Sequence, residues 1–182
     1  MHRILLFLVL ILSVTSIAYA DINEAYSALE KENYTQAFSI FKQCAEQGEA
    51  EAQYALGTLY YEGKGINQDF QQSVKWMQKA AEQGLADAQL ALGNLYFNGE
   101  GVKQDYDAAV KWYILAANKG NVDAQFNMGY MFEYGFGVAK DCDKAEEWYS
   151  KAASQGDEEA QEILDNFKCR DFTNVASLNH CR

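Results

Sequence analysis

One short stretch of this sequence has the spacing of a nucleophilic serine site. Ser39 and Lys42 form S-x-x-K, the spacing that sets a serine one helical turn from a lysine in penicillin-recognising enzymes. Those enzymes also carry S-D-N and K-T-G motifs, and neither follows here. An isolated short motif has low specificity, and a serine and a lysine at this spacing are ordinary on a helix surface. We therefore expect no catalytic residue here.

The other groups with chemical potential lie in a turn and at the C-terminus. A proton relay that uses His180 would have to lie on the C-terminal tail, which offers no rigid support. Cys169, His180 and Cys181 supply three metal ligands, where structural zinc takes four. Gly63-Lys64-Gly65 lacks the glycine spacing and the preceding strand of a phosphate-binding loop. The sequence thus predicts no enzyme, no metal site and no cofactor.

A period of 36 residues organises the chain that carries these groups. The recurring columns are Ala52, Ala88, Ala124 and Ala160, each followed by glutamine; Gly57, Gly93 and Gly129; Asp69, Asp105 and Asp141; and Trp76, Trp112 and Trp148. A fixed period in this range is typical of one supersecondary unit stacked on copies of itself. Such proteins commonly present a surface to a partner, so the period favours binding over catalysis.

Each copy reads as two helices. Apolar residues recur at helical spacing from Glu51 to Tyr61, which predicts a first helix, helix A. Polar residues in one column cap a second helix, helix B, which ends before a glycine such as Gly84. The caps are Asn33, Asp69, Asp105 and Asp141. The glycine column inside helix A predicts close approach of a neighbouring helix or of Trp76. The tryptophan column favours core packing over a ligand cage.

The fold class that follows is all-α: an α-solenoid of antiparallel helical hairpins with a 36-residue period. We expect a signal peptide at residues 1–20, a solenoid at 21–168 and a capping tail at 169–182. The first copy has no Gly-x-Gly between Ala25 and Asn33, which predicts a short helix A, a tight turn and a capping role.

The N-terminus has the pattern of a secretory signal. An apolar run from Ile4 to Val14 follows Arg3, and Ala18-Tyr19-Ala20 precedes an aspartate. The run is about eleven residues long, too short for a bilayer that needs roughly twenty. The pattern predicts cleavage after Ala20, a periplasmic or secreted protein, and no stable membrane insertion after cleavage. A buried N-terminal helix is the alternative.

The chain is acidic, with a formal net charge of −11. Removal of residues 1–20 takes away Arg3 and leaves 14 basic residues against 26 acidic ones. Arg170 and Arg182 both follow the last repeat, so the solenoid offers phosphates no guanidinium group and would repel a polyanion. The charge excludes nucleic acid as a partner. It either steers a basic partner or keeps the surface solvated.

The residues of the second full copy resemble a known family. This copy reads Ala-Gln-Leu-Ala-Leu-Gly from Ala88, then Tyr96, Gly99-Glu-Gly101-Val102, Asp105 and Lys111-Trp112-Tyr113. The pattern is similar to the Sel-1-like repeat, a relative of the tetratricopeptide repeat, over residues 51–161. The resemblance implies a right-handed superhelix of helical hairpins that acts as an adaptor, usually without catalysis.

The same resemblance implies two alternative functions. Cysteine-rich secreted members are associated with penicillin binding and β-lactamase-like activity, and other periplasmic members resemble immunity proteins that neutralise secreted toxins. This chain holds alanine in the columns where the cysteine-rich members pair cysteines, which argues against the first alternative. A purely structural envelope protein is a third class.

Four cysteines permit several pairings. In a stack of antiparallel helices, the start of one helix B lies beside the end of the next helix A, which predicts a disulfide between Cys142 and Cys169. A Cys169–Cys181 loop is the rival, and four reduced thiols are a further alternative. Cys44 is nearly three repeats from Cys142, beyond the roughly 7 Å that a disulfide spans between Cα atoms. We expect Cys44 to be a buried thiol unless the tail returns to it.

Comparison of the copies identifies a candidate binding strip. The columns of helix A that change from copy to copy fall on one arc, opposite the fixed Ala52, Leu56 and Leu59. The changing columns hold Tyr54, Thr58, Tyr61, Leu90, Asn94, Phe97, Phe126, Tyr130 and Glu133. Helix A lines the concave groove in tetratricopeptide-like stacks, so these residues are expected to bind a partner. The alternative is that several of them pack between neighbouring repeats.

The sequence as a whole predicts a non-catalytic exported scaffold. We expect a monomer that holds a protein or peptide in its concave groove, with no cofactor, metal or nucleic acid. Binding itself is the mechanism in this interpretation.

Overall fold

The computed structural model describes residues 22–167, and all regular elements in that range are α-helices. The helices are α1 (residues 22–30), α2 (Tyr34–Glu46), α3 (Ala50–Glu62), α4 (Phe70–Glu82), α5 (Ala86–Asn98), α6 (Tyr106–Ala117), α7 (Val122–Tyr134), α8 (Cys142–Ser154) and α9 (Glu158–Asp165). The predicted all-α fold of helical hairpins with a 36-residue period is confirmed. Within residues 22–167, none of the helices has the length and hydrophobicity that a bilayer crossing requires. The predicted signal peptide and capping tail, with Cys169, His180 and Cys181, lie outside the described residues.

The capping column fixes where each helix B begins. Asp69 Oδ1 accepts a hydrogen bond of 3.0 Å from the backbone N–H of Gln72, which satisfies an N–H that has no partner within the helix. The N–H of Asp69 itself donates to the carbonyl of Tyr60 at 2.9 Å. Asp105 and Asp141 repeat both bonds. One residue therefore starts helix B and also ties its start to the end of helix A.

The second glycine of each Gly-x-Gly turn is required by its surroundings. Gly101 has a φ of +72°, a region that L side chains rarely adopt. A Cβ at Gly101 would also collide with the backbone carbonyl of Phe70, the first residue of α4. Gly65 and Gly137 lie in the same way against the carbonyls of Tyr34 and Tyr106. The first copy has no such turn, and Glu32 instead takes a φ of +57° in the short link between α1 and α2.

The glycine column inside helix A allows a neighbouring helix to approach closely, as the sequence predicts. The approaching side chain is not Trp76, however, and that part of the prediction is wrong. A Cβ at Gly57 would meet Met77 at 3.0 Å, and its equivalents would meet the rings of Tyr113 and Tyr149 at 2.5 and 2.6 Å. The contact is made by the residue that follows each tryptophan, because that residue points into the hairpin.

The tryptophan column packs as predicted in two of the three copies. Trp76 and Trp148 are 7% and 9% exposed, and each is covered by a lysine one turn later. Lys79 Nζ lies 4.1 Å from the Trp76 ring centroid, and Lys151 Nζ lies 3.9 Å from that of Trp148. Trp112 is only partly buried, and Leu115 stands at the position of those lysines.

The glutamine of the repeated Ala-Gln pair has a structural role. Gln53 is buried, and its Nε2 donates to the carbonyl of Ala45 at the end of α2 at 3.1 Å. Its Oε1 accepts from Gln83 Nε2 at 2.8 Å. Gln125 makes the equivalent pair of bonds, to Ala117 and from Gln155. A buried amide needs such partners, so the column links the end of one helix B to the next helix A.

The described chain forms two compact units. The first unit contains residues 22–88 and 100–102, and the second contains 89–99 and 103–167. In the first unit α3 packs against α2 and α4, around the fully buried Phe41 and Leu56. In the second unit α7 packs against α6 and α8, and α8 packs against α9, around Met128, Met131 and Tyr149. Each unit thus has its own apolar core.

Candidate functional site

The nine side chains of the predicted binding strip all reach solvent. Tyr61 and Asn94 are exposed, and the other seven are partly buried. The fixed columns on the opposite side of helix A are closed to solvent: Ala52 and Leu56 are 0% exposed, and Leu59 is 3% exposed. The fixed columns are therefore more deeply buried than the strip, although Leu59 and its equivalent Met131 also reach the walls of the two cavities described below.

Four residues of the strip meet in one cavity of the second unit. Asn94 and Phe97 enter it from α5, and Phe126 and Tyr130 enter it from α7. The cavity encloses about 290 Å³. Three residues that sequence reasoning did not assign complete its lining: Tyr113, Asn127 and Met131. We refer to this feature as the second-unit cavity.

The second-unit cavity has a hydrogen-bonded polar floor. The Tyr113 hydroxyl donates to Asn94 Oδ1 at 2.7 Å, and Asn127 Nδ2 donates to the same oxygen at 3.4 Å. Burial raises the pKa of Tyr113 above its ordinary value, which extends the pH range over which its hydroxyl can donate this bond. A side-chain amide has two donor hydrogens and an acceptor oxygen, so the two asparagines retain donor and acceptor capacity that a bound backbone could use.

Aromatic rings form the apolar wall of this cavity and continue beyond it. Phe97 packs against Tyr106, Tyr130 and Phe136, with ring centroids 5.2 to 6.1 Å apart. Phe136 is the middle residue of the third Gly-x-Gly turn and lies 6.1 Å from Tyr134. Tyr134 is 55% exposed. The cluster therefore extends from the cavity to an exposed ring, an arrangement that suits the anchoring of apolar side chains.

Two strip residues of the second unit do not line the cavity. The Glu133 carboxylate accepts a hydrogen bond of 2.8 Å from the Tyr149 hydroxyl. Burial raises the pKa of Tyr149, and Glu133 raises it further. Leu90 packs against the apolar core of the second unit. Leu90 therefore contributes to packing, the alternative that the sequence left open for part of the strip, and Glu133 is hydrogen-bonded within its own repeat.

The first unit has a cavity of different chemistry, about 330 Å³ in volume. Tyr54 and Thr58 of the predicted strip line it, and the Thr58 hydroxyl donates to the Tyr54 carbonyl at 3.1 Å. The other polar and aromatic lining residues are Tyr26, Tyr34, Glu62 and Lys64. Burial raises the pKa of Tyr54, and Asp87 adds to the effect. We refer to this feature as the first-unit cavity.

Tyr61 is the remaining strip residue, and it lies outside the first-unit cavity. Its ring packs edge-on against Phe70 with centroids 5.3 Å apart. A hydrogen bond to Glu100 raises the pKa of its hydroxyl. The structure thus brings six of the nine strip residues into two cavities and leaves three outside them.

Two of the three residues that the sequence analysis did not assign, Tyr113 and Asn127, carried a usable signal, whereas Met131 belongs to the fixed column of Leu59. The column of Tyr113 holds Met77 and Tyr149 in the other copies, and the column of Asn127 holds Ala55 and Ala91. Both columns vary, as the strip does. The first lies on helix B, and the second borders the strip on helix A.

The groups considered for chemistry do not converge on a site. Ser39 and Lys42 are both exposed on α2. Across residues 22–167, no cluster of His, Cys, Asp and Glu side chains is arranged to hold a metal ion. Cys142 is buried at the start of α8, and its predicted disulfide partner, Cys169, lies outside the described residues. Cys44 is fully buried.

The Sel1 repeat family model matches four consecutive segments of the chain, at residues 24–49, 50–85, 86–121 and 122–157. The chain is similar to a protective antigen present in uropathogenic Escherichia coli strains, which displays an SLR fold. The identity is 41% and the TM-score 0.80, over 82% of this chain and 33% of that protein. A Sel1 repeat protein from Oxalobacter formigenes is 34% identical, with a TM-score of 0.76 over 80% of this chain and 60% of that one. No curated protein matches the chain significantly.

Helicobacter pylori cysteine rich protein B is a more distant likeness, at 27% identity and a TM-score of 0.55 over 78% of this chain. The chain spans only about a third of the length of the Escherichia coli antigen and 60% of the Oxalobacter protein. The matched repeats cover most of the described residues, and the Asp, Gly and Ala-Gln columns that build the hairpins recur within them. The chain therefore belongs to the Sel1 repeat family.

Proposed function

We propose that this chain is an exported scaffold that holds an extended segment of a partner protein in the second-unit cavity. One observation supports this proposal above the others. Four residues selected only because they vary between copies, Asn94, Phe97, Phe126 and Tyr130, converge on one cavity. Sel1 repeat proteins are generally protein-interaction scaffolds and typically non-enzymatic, which gives the cavity a role consistent with the family.

The dimensions and lining of the cavity suit a peptide. Small-molecule sites usually enclose about 300 to 1,000 Å³, and the volume of about 290 Å³ lies just below that range. That volume accommodates one or two side chains. Phe97, Phe126 and Tyr130 provide rings for an apolar anchor, and Asn94 and Asn127 provide amides for the peptide backbone. A narrow apolar cavity with an amide floor therefore fits an extended segment with a bulky apolar residue.

Export and a monomeric state are parts of the same proposal. Export rests on the pattern of residues 1–20, and the monomeric state rests on the lining of each cavity, which one chain supplies. N-terminal sequencing of the mature protein should begin at Asp21, and light scattering after gel filtration should give the mass of one chain. A retained N-terminus would contradict export.

Photo-crosslinking in the native compartment tests the binding proposal. Benzoylphenylalanine at Tyr130 keeps an aromatic ring in the cavity, and the same group at the exposed Lys111 on α6 is the matched control. We expect one dominant adduct from Tyr130, identified by mass spectrometry, and its loss when Phe97 and Phe126 are both changed to alanine. Equal adducts from the two positions, or none from Tyr130, would reject the second-unit cavity as the binding site.

A further inference from the structure

The first-unit cavity has the lining of a site for a cationic side chain. Three tyrosines, Tyr26, Tyr34 and Tyr54, contribute rings, and Glu62 contributes a carboxylate. Ring faces carry negative electrostatic potential that attracts ammonium and guanidinium groups. The second-unit cavity, by contrast, contains no charged side chain among its lining residues. The two cavities therefore favour side chains of different chemistry.

A cation of this chain already occupies the rim of the first-unit cavity. Lys64 Nζ lies 2.9 Å from Glu62 Oε2 and 5.4 Å from the centroid of the Tyr34 ring. Both side chains of the ion pair remain well exposed, at 45% for Lys64 and 39% for Glu62. An exposed ion pair contributes little to stability, so a second cation can replace Lys64 at small cost. The geometry shows that one ring and one carboxylate can hold an ammonium group together.

Further carboxylates lie near the tyrosines of this cavity. After burial, which is the largest cause, Asp87 and Glu62 raise the pKa of Tyr54, and Glu51 raises that of Tyr26. The same negative field that disfavours a phenolate favours a bound cation. The whole chain carries a net charge of −11, which attracts basic segments over longer distances.

We propose that the first-unit cavity binds a lysine or arginine side chain of a partner protein, with the cation between the Tyr34 ring and the Glu62 carboxylate. This inference rests on the proposed scaffold function, because the basic side chain belongs to a protein that the scaffold binds. Lys64 acts as an internal competitor that fills the position until the partner arrives.

A small-molecule titration tests the inference without knowledge of the partner. The probes are N-acetyl-lysinamide and its uncharged isostere N-acetyl-norleucinamide, each added to ¹⁵N-labelled mature protein, residues 21–182. We expect saturable shifts of the amide signals of Tyr54, Thr58 and Lys64 with the lysine probe, and affinity at least about fivefold lower for the norleucine probe. Added salt should weaken only the lysine probe. Equal affinity of the two probes overturns the inference.

Two substitutions of exposed residues sharpen the test. Lys64→Met removes the internal competitor and should raise the affinity for the lysine probe, whereas Glu62→Gln should lower it. Lys75→Met is the matched control, because it removes the same charge from an exposed position of α4 that does not line the cavity. If Lys64→Met and Lys75→Met have the same effect, general electrostatics explains the change and the site is rejected.

The test of the scaffold function is independent of this one. A crosslinked partner at Tyr130 combined with no preference for the lysine probe would keep the scaffold proposal and overturn the cation site. Selective binding of the lysine probe without a partner at Tyr130 would support the cation site and reject the second-unit cavity as the place where a partner is held.

Discussion

Gly93 lies directly against the ring of Tyr113, so closely that a Cβ on the glycine would be 2.5 Å from two ring carbons. The same tyrosine donates a hydrogen bond to Asn94 on the floor of the second-unit cavity. The Tyr113 side chain therefore contributes both to the packing of α5 against α6 and to the lining of the cavity. A change that displaces Tyr113 should affect both stability and binding.

Alanine at the three equivalent glycines should have unequal effects. At Gly57 the neighbour is the flexible Met77 at 3.0 Å, and alanine regains about 1 kcal/mol of helix propensity, so Gly57→Ala should be close to neutral. At Gly93 and Gly129 the neighbours are rigid rings at 2.5 and 2.6 Å, and overpacking costs about 1–3 kcal/mol. Urea unfolding should show both variants to be less stable than Gly57→Ala.

The Gly57 variant is the internal control in that series, because all three glycines have the same position in the repeat. Equal losses at the three positions would contradict the role assigned to the neighbouring side chain. Gly93→Ala should also reduce crosslinking from Tyr130, whereas Gly129→Ala, which meets Tyr149, should have a smaller effect.

Glycines with positive φ should divide into two classes. Gly120 has a φ of +89° and nothing within 4 Å of an added Cβ, whereas Gly137 has a φ of +65° and would collide with the Tyr106 carbonyl. Gly120→Ala should cost about 1–2 kcal/mol, the strain of the left-handed region. Gly137→Ala should cost about 1–3 kcal/mol more, because the backbone itself must move. Thermal unfolding of the two variants measures the difference, and equal losses would contradict the role assigned to the turn.

The sequence was sufficient for the hairpins because their ends are set by local groups. An aspartate such as Asp69 caps helix B by bonding to a backbone N–H three residues away, and a glycine such as Gly63 ends helix A with a φ of 70°. These interactions depend on spacing along the chain. A repeat displays that spacing several times, so helix boundaries could be predicted to within a residue or two.

Side-chain pairing between helices could not be predicted in the same way. Trp76 and Met77 are adjacent in sequence, and only the rotation of α4 about its axis decides which of them faces Gly57. Variation between the copies of helix A likewise predicted Asn94 and Phe97 as binding residues. It did not predict Tyr113, which reaches the cavity from another helix. Side chains from different helices converge only when those helices pack in a particular way. A repeated position within one helix carries no information about that packing.

High pH should destabilise the fold through Tyr149. Burial and the Glu133 carboxylate raise the pKa of Tyr149 above its ordinary value of 10.0. The unfolded chain loses this proton near pH 10 and the folded chain keeps it longer, so the stabilisation is complete below pH 10 and is lost as the pH rises further. Urea unfolding at about pH 9 and about pH 11 should show the loss. Tyr149→Phe should reduce it, and an unchanged pH dependence in that variant would refute the assignment.

The predicted Cys142–Cys169 disulfide can be tested by proteolysis of non-reduced protein followed by mass spectrometry. Cys142 is 7% exposed at the start of α8. If it pairs with Cys169, reduction should destabilise the protein by about 2–4 kcal/mol, and Cys142→Ser should have a similar effect. A peptide that joins Cys169 to Cys181 would establish the rival pairing. Alkylation of all four cysteines without prior reduction would contradict both disulfides.

Asn94 offers a way to separate binding from stability in the second-unit cavity. Asn94→Ala removes both the acceptor for the Tyr113 hydroxyl and the amide proposed to bind a peptide backbone. Tyr113→Phe removes the same hydrogen bond but leaves the Asn94 amide in place, so both variants should lose about 1 kcal/mol of stability. Only Asn94→Ala should also lower the affinity for the partner, by about tenfold for the loss of one hydrogen bond to the partner's backbone. The crosslinking yield from Tyr130 at graded partner concentrations measures this difference. Parallel losses in the two variants would mean that Asn94 positions the cavity wall and does not contact the partner.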